Sequence, residues 1–125
     1  MDYRFGKDYK LCSKTTIDSI FTEGSQAKQF PFVVKYMQAD ASQKKAFQIV
    51  VSAPKRSFRF AHQRNRIKRI TKEAIRLNKN ELETYLTSTN KHLALFLIYS
   101  SKEEVDVGVL GRKINKLFNL SLIHI

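Results

Sequence analysis

A nearly continuous apolar run late in the chain restricts the fold more than any other feature. The segment HLALFLIYS, at positions 92–100, carries no charged side chain and offers no polar face along its length. Such a run is typical of a strand that is covered on both sides. We therefore expect this segment at the centre of a sheet, with other elements packed on both faces.

Two earlier segments predict further strands. FPFVVKYM is rich in aromatic and β-branched residues, and AFQIVVSA is too apolar for a fully wet face. The polar segment ADASQKK lies between them and predicts a turn or hairpin loop, so we expect the two strands to form an antiparallel pair. Pro31 should occupy the first position of its strand, and Pro54 should end the second strand.

Short helices are predicted near both ends of the chain. In TTIDSIFTEG, Thr15 and Asp18 resemble a capping box, and Gly24 suits the C-terminal stop. The polar stretch SQAKQ that follows is assigned to no element. Ser101 and Glu104 form a second capping-box candidate, ahead of a C-terminal helix.

The longest helix is predicted from Arg64 to about Leu86. Its apolar stripe follows the spacing i, i+3, i+7, i+10 and consists of Ile67, Ile70, Ala74 and Leu77. The order helix, strand, strand, helix, strand, helix predicts an α+β fold, a two-layer sandwich with helices packed on a small mixed sheet. The chain has 125 residues and no linker or repeat, so residues 1–125 are expected to form one domain.

The charge of the chain is unusual in size and in position. Lys and Arg outnumber Asp and Glu by 23 to 11, so the formal net charge is +12. Between Lys55 and Lys79 there are ten basic residues and one acid, Glu73, so this segment holds most of the excess. A field of this kind attracts polyanions. We therefore expect a binding stripe on an otherwise ordinary protein.

The basic residues of the long helix fall opposite its predicted apolar stripe. At about 100° per residue, one arc holds Arg64, Asn65, Lys68, Arg69, Lys72, Arg76 and Lys79. Arg66 falls near the edge of the stripe, where its guanidinium could snorkel or clamp a neighbouring backbone or a phosphate. Four of the ten basic residues in the segment are Lys and six are Arg, which suits bidentate phosphate contact.

Binding of nucleic acid fits this helix better than a solvated face, a duplex DNA reader or a membrane-binding helix. A solvated face usually alternates Lys with Glu, whereas here like charges at i, i+4 repel one another, as with Arg64 and Lys68. Nucleic acid would relieve that repulsion, and seven contacts to single-stranded phosphates would give a salt slope of about −5. A duplex DNA reader would need a partner helix just upstream. A membrane-binding helix would need Trp or Phe on its apolar stripe.

Other functional signals are weak. No run approaches 18 apolar residues, and the first ten residues lack the apolar core of a secretory signal, so we expect an intracellular, cytoplasmic protein. The single Cys12 cannot form an internal disulfide and has no ligand spacing for zinc. The three His residues are scattered, and the acids Glu103, Glu104 and Asp106 resemble helix N-terminal acids.

The stretch APKRSFRFAHQRNRIKRITKEAIRLN resembles the signature of the bacterial ribonuclease P protein subunit. In that family a strand ends in a basic pair, a short loop follows, and a helix opens with Arg-Asn-Arg-Ile-Lys-Arg. KLCSKTTIDSIFTEGSQA is similar to the opening helix of the family, FPFVVKY to its first strand and LALFLIYS to its late strand. The resemblance also implies a left-handed crossover between parallel strands, against the general rule.

The resemblance implies two binding surfaces. The first would contact the catalytic RNA and would comprise Lys55, Arg56, Arg64, Asn65, Arg66, Lys68, Arg69, Lys72 and Arg76. The second is a cleft for the single-stranded 5′ leader of precursor tRNA, with Ile17, Phe21, Phe32, Val33 and Lys35. Ile17 stands where the family often has Phe, and Lys35 where it often has an aromatic residue. For Phe32 and Val33, packing in the core remains an equal alternative.

The resemblance implies a division of labour. The RNA subunit would hold Mg²⁺ and perform the hydrolysis, while a monomeric protein with no catalytic residue and no metal of its own would bind the RNA partners. No membrane and no DNA are expected among its partners. A structural RNA-binding protein, such as a ribosome component, is the alternative function. A protein-only nuclease would need clustered acids, which the sequence does not show.

Overall fold

The chain forms an α+β fold, as predicted. The computed structural model describes residues 9–11, 13–39, 45–56, 58–101, 103 and 105–122. Its elements are α1 (Lys14–Glu23), β1 (Ser25–Gln29), β2 (Phe32–Gln38), β3 (Phe47–Ser52), α2 (Ala61–Ser88), β4 (Leu93–Tyr99) and α3 (Val107–Lys116). A π-helical segment, Leu117–Leu122, continues from α3.

The strands form one mixed sheet in the order β1-β2-β4-β3. The apolar strand β4 is central, as predicted, with β2 antiparallel on one side and β3 parallel on the other. The predicted antiparallel pairing of β2 with β3 is wrong, because β4 lies between them. A strand that is apolar on both faces belongs inside a sheet, and β4 therefore lies between β2 and β3. The left-handed sense of the β3-α2-β4 crossover stays a prediction.

The polar stretch SQAKQ, to which no element was assigned, is the edge strand β1. It pairs with β2 across a turn, in a register that runs from Ser25 opposite Tyr36 to Gln29 opposite Phe32. Its side chains are mostly exposed, as is common for edge strands. Pro31 lies in that turn, after a cis peptide bond with Phe30, and not at the first position of β2.

Helix α1 begins two residues earlier than the predicted capping box. Its N-cap is Ser13, whose hydroxyl accepts a hydrogen bond from the Thr16 backbone N–H at 3.3 Å, so Thr15 lies inside the helix. Gly24 ends the helix as predicted, with an extended backbone. A Cβ on Gly24 would lie 2.4 Å from the Ile20 carbonyl oxygen and 2.8 Å from the Tyr36 carbonyl oxygen. Only glycine therefore allows α1 to approach β2 so closely.

Helix α3 also begins at a different cap from the one predicted. Asp106 is the N-cap, and its carboxylate accepts a hydrogen bond from the Gly108 N–H at 3.0 Å. Ser101 accepts a hydrogen bond from the Glu103 N–H instead, which shapes the loop ahead of the helix. Glu104, the other half of the predicted box, lies outside the described residues.

The two faces of the sheet are covered unequally. Helices α2 and α3 pack on the face that carries Phe32, Val34, Leu95 and Leu97, which form the larger hydrophobic core. Helix α1 packs on the opposite face, in a smaller cluster of buried residues centred on Ile20. The expectation that β4 is covered on both sides is confirmed. No helix among the described residues is long and apolar enough to cross a membrane.

The buried stripe of α2 differs from the predicted one. It consists of Ile67, Thr71, Ala74, Ile75, Lys79, Leu82 and Leu86. Ile67 and Ala74 were predicted correctly, whereas Ile70 is half-buried and Leu77 is 51% exposed. The register is determined by the second half of this 28-residue helix, where Leu82 and Leu86 face the sheet. Two polar residues in the stripe, Thr71 and Lys79, concealed this register in the sequence.

Lys79 is fully buried, so its predicted place on the basic surface is wrong. Its ammonium lies 2.8 Å from Glu83 Oε1 and donates a hydrogen bond to the Tyr9 hydroxyl at 3.3 Å. The Tyr9 hydroxyl in turn donates to the Glu83 carboxylate at 2.8 Å. Tyr9 is itself 3% exposed. A charged group in the core thus ties the segment before α1 to the middle of α2.

Replacing Glu83 with Gln is expected to lower the free energy of unfolding by about 3 kcal/mol, because the buried ammonium of Lys79 loses this carboxylate. Glu81→Gln is the matched control, since Glu81 is exposed on the same helix, and it should change stability by less than about 0.5 kcal/mol. Urea unfolding of both variants measures the difference. Equal effects of the two substitutions would show that the pair does not stabilise the fold.

Candidate nucleic-acid interface

The basic face of α2, which consists of Asn65, Arg66, Lys68, Arg69 and Lys72, lies on the surface. All of its members are exposed except Lys68, which is half-buried. They occupy the side of the helix away from the buried stripe, over about two turns. Together with Glu73 and Arg76, four of them line a shallow depression of about 440 Å³. The geometry thus presents closely spaced cations to a ligand that approaches from solvent.

Arg64 has a structural contact that the sequence did not assign to it. Its Nη1 atom donates hydrogen bonds to the carbonyl oxygens of Phe58 at 2.8 Å and of Arg59 at 3.0 Å. The side chain of a helical residue points back towards the N-terminus of its helix, which brings this guanidinium onto the loop before α2. Phe60, the N-cap of α2, makes no side-chain capping bond. A backbone clamp by Arg66 stays a prediction, whereas Arg64 makes such a clamp.

Arg76 is paired within its own helix. Its Nε donates to Glu73 Oε2 at 2.9 Å, and Nη2 contacts the other carboxylate oxygen at 2.5 Å. The hydrogen bond from Arg76 lowers the pKa of the Glu73 carboxyl below its ordinary value. The only acid between Lys55 and Lys79 is therefore matched to one cation, and its negative charge is compensated locally.

The loop that leads into α2 extends the basic face. Lys55 and Arg56 are exposed in the turn after β3. Beyond them, Arg59 lies over the ring of Phe60, with 5.6 Å between the guanidinium carbon and the ring centroid. Phe60 is 54% exposed and stacks on His62 with a centroid distance of 5.7 Å. We did not predict this aromatic pair, although the alternation of Arg and Phe in FRFAHQR was a signal for it.

The second candidate surface lies on the α1 side of the sheet. Phe21 is 46% exposed, and its ring packs edge-on against Phe96 with 4.8 Å between centroids. Lys35 Nζ lies 4.8 Å from the centroid of the Phe21 ring. Val33 is half-buried on the same face, because it alternates with the core residues of β2. An aromatic side chain, a cation and aliphatic groups thus share one partly exposed surface beside α1, which we call the leader cleft.

Phe32 does not belong to this cleft, which corrects the prediction. It is 1% exposed and packs against Tyr99 with ring centroids 5.8 Å apart, on the face covered by α2 and α3. Phe96 takes its place as the aromatic residue beneath α1, and the alternation along β4 could have identified it. Ile17 packs on the small cluster around Ile20 and stays half-buried. Of the predicted cleft residues, four share one surface.

The described residues contain no group of three or more His, Cys, Asp or Glu side chains that could hold a metal ion.

The sequence of this chain matches a known protein family and curated relatives. Residues 5–120 match the family model described as Ribonuclease P. The ribonuclease P protein component of Porphyromonas gingivalis strain ATCC 33277 is 30% identical, over 98% of this chain and 87% of the relative. That of Pseudoalteromonas translucida is also 30% identical, over 66% of this chain and 56% of the relative.

Solved structures share the fold at lower identity. The RNase P protein of Thermotoga maritima matches with a TM-score of 0.71 and 22% identity, over 89% of this chain and 96% of that one. The RNase P protein of Staphylococcus aureus matches with a TM-score of 0.70 and 16% identity, over 92% and 96% of the two chains. The architecture described above is therefore the architecture of these proteins.

Arg64→Ala is expected to lower the free energy of unfolding by about 1 to 2 kcal/mol, because two loop carbonyls lose a charged hydrogen-bond donor. Arg69→Ala removes an exposed Arg from the same helix and should change stability by less than about 0.5 kcal/mol. Thermal or urea unfolding in the absence of RNA measures both. If the two variants unfold alike, Arg64 is not a clamp for the loop.

Proposed function

This chain belongs to the ribonuclease P protein family, and from that premise we propose that it binds a catalytic RNA and the 5′ leader of precursor tRNA. In that role it assists removal of the leader. Membership makes it a protein component of a ribonuclease. The observation that best supports the finer proposal is the cleft under α1, where the exposed ring of Phe21 lies between Phe96 and the ammonium of Lys35.

The basic face of α2 is the proposed contact for the catalytic RNA. Its exposed cations are closely spaced and carry like charge, so a polyanion laid along them removes repulsion within the helix. Lys55 and Arg56 extend the surface beyond the N-terminus of α2. Arg64 and Arg76 border it, with part of their hydrogen-bonding capacity committed to the loop and to Glu73.

The cleft is the proposed contact for the leader. A single strand can be held without sequence preference by stacking its bases on aromatic rings and placing phosphates near cations. Phe21 offers the ring, and Lys35 beside it offers the cation. Val33 and Ile17 supply aliphatic contacts, where relatives often have aromatic side chains at the position of Ile17. Because the cleft and the basic face lie on opposite sides of the sheet, one protein can contact both RNAs.

The chemistry is proposed to belong to the RNA. In this division of labour the catalytic RNA holds most of the Mg²⁺ and performs the hydrolysis, and the protein positions the substrate. The proposal rests on the family resemblance and on the surfaces described above. We also propose that the protein is monomeric, that it acts in the cytoplasm and that neither DNA nor a membrane is among its partners.

Cleavage of a precursor tRNA at low Mg²⁺ tests the proposal. We expect leader removal to be stimulated when the protein is added to a bacterial ribonuclease P RNA, and we expect none from the protein alone. Cleavage by the protein alone would contradict the division of labour. If an RNA that binds the protein shows no stimulation, the chain is a structural RNA-binding protein, the alternative function.

Phe21→Ala tests the leader cleft. In complex with the RNA, the variant should bind precursor tRNA about tenfold more weakly, since one stacked base contributes roughly 1 to 3 kcal/mol. Binding of mature tRNA should not change. Phe30→Ala is the matched control, because Phe30 is 66% exposed in the turn between β1 and β2, belongs to neither proposed surface and should leave the preference for precursor unchanged. Equal loss of both tRNAs in the Phe21 variant would indicate a packing role.

A further inference from the structure

A second depression lies between α2 and α3, next to the basic face of α2. Its volume is about 410 Å³, and its lining includes Arg69, Ile70, Leu77, Asn78, Val107 and Gly111. A volume of this order is within the range of small-molecule pockets. It shares Arg69 with the basic face and lies on the other side of the sheet from the leader cleft.

Two apolar side chains at this depression are exposed without an evident structural reason. Leu77 is 51% exposed and Val107 is 59% exposed, and both line the same depression. A small protein gains stability by burying such groups, and apolar groups that remain exposed together around a concave surface commonly mark a binding site. The depression therefore offers an apolar ligand surface that the fold itself leaves open.

Gly111 lines this depression from the α3 side. It lies inside α3, where glycine destabilises a helix relative to alanine. A Cβ at this position would meet no atom within 4 Å, so no close approach within the described structure requires glycine here. The missing side chain leaves space on the α3 side of the depression, opposite α2. A longer side chain at residue 111 would have room to occupy that space.

Two polar groups at the depression, Arg69 and Asn78, complement a nucleotide, and the Glu73 carboxylate that also lines it is paired with Arg76. Arg69 belongs both to this depression and to the basic face, so a phosphate on that face lies next to the apolar lining. The Asn78 amide is held by two hydrogen bonds, one to the Ala74 carbonyl at 2.8 Å and one from Asn115 at 3.2 Å. An amide has two N–H groups and two lone pairs, so Asn78 retains capacity for the edge of a base.

We propose that this depression binds one unpaired base of the catalytic RNA, while the basic face of α2 holds the adjoining phosphates. The inference rests on the proposed function. Proteins read unpaired RNA bases by splaying them onto aromatic rings or Arg guanidinium planes and by bonding to their edges, and Arg69 and Asn78 supply such groups. A second copy of this chain is a poor occupant, because each copy carries a net charge of +12.

The test fills the depression without touching a cation. Gly111→Leu and the matched control Gly111→Ala are compared with wild type for binding to a ribonuclease P RNA that the wild-type protein activates, over a range of salt concentrations. We expect Gly111→Leu to bind about tenfold more weakly. The slope of log K against log salt should not change, because no phosphate contact is lost. Gly111→Ala should bind within about twofold of wild type, since a methyl group leaves most of the volume free.

A second variant tests the same depression independently, in case Gly111→Leu does not fold. Leu77→Ser removes an exposed apolar side chain from the α2 side and should likewise weaken binding at unchanged salt slope. Lys72→Ala gives the contrasting signature, weaker binding with a salt slope reduced by about 0.7 to 0.9.

The outcomes separate the two proposals. Wild-type affinity in both Gly111→Leu and Leu77→Ser would overturn the base pocket and leave the proposed function intact. A reduced salt slope in Gly111→Leu would mean that phosphates had been displaced, and this result would also overturn the base pocket. A wild-type dimer that Gly111→Leu abolishes, with RNA affinity unchanged, would assign the depression to a second copy. If the wild-type protein binds no ribonuclease P RNA, that result contradicts the proposed function itself, on which the base pocket depends.

Discussion

The rest of the structure depends on the need to cover β4 on both faces. One face carries Leu93, Leu95, Leu97 and Tyr99, and α2 and α3 bury all four. The other face is covered by α1, which has ten residues. A helix of this length spans only about 15 Å, so part of that face stays open. The partly open cleft beside Phe96 is thus a consequence of how the central strand is buried.

The central strand and the basic helix were predictable because their signals are local. A long apolar run and a dense set of cations have few structural interpretations, and the family resemblance covered most of the chain. The edge strand β1 was not predictable in this way, since SQAKQ has no apolar alternation and is a strand only through its pairing with β2. The wrong pairing of β2 with β3 has a similar cause, because strand order depends on contacts between segments far apart in sequence.

The errors in the candidate sites have the same cause, namely contacts between segments that are far apart in sequence. Phe32 was assigned to the cleft through the family resemblance, with packing in the core as an equal alternative, but neighbouring strand residues point to opposite faces and only Val33 lies on the α1 side. Lys79 was assigned to the surface because it falls opposite the predicted apolar stripe, but the buried stripe has another register, in which Tyr9 and Glu83 supply partners for Lys79. Both errors concern tertiary contacts. Asn65, Arg69 and Lys72 were placed correctly because they lie away from both the predicted and the observed apolar stripe.

The charges of α2 divide into those that stabilise the protein and those left for a ligand. Lys79 pairs with Glu83 in the core, Arg76 pairs with Glu73, and Arg64 ties down the loop before the helix. These contacts hold the helix and its entry loop in place. Lys68 and Lys72, one turn apart, still repel each other on the solvent side. A helix stabilised through its buried face can bear that repulsion, and in the proposed function a chain of phosphates would relieve it.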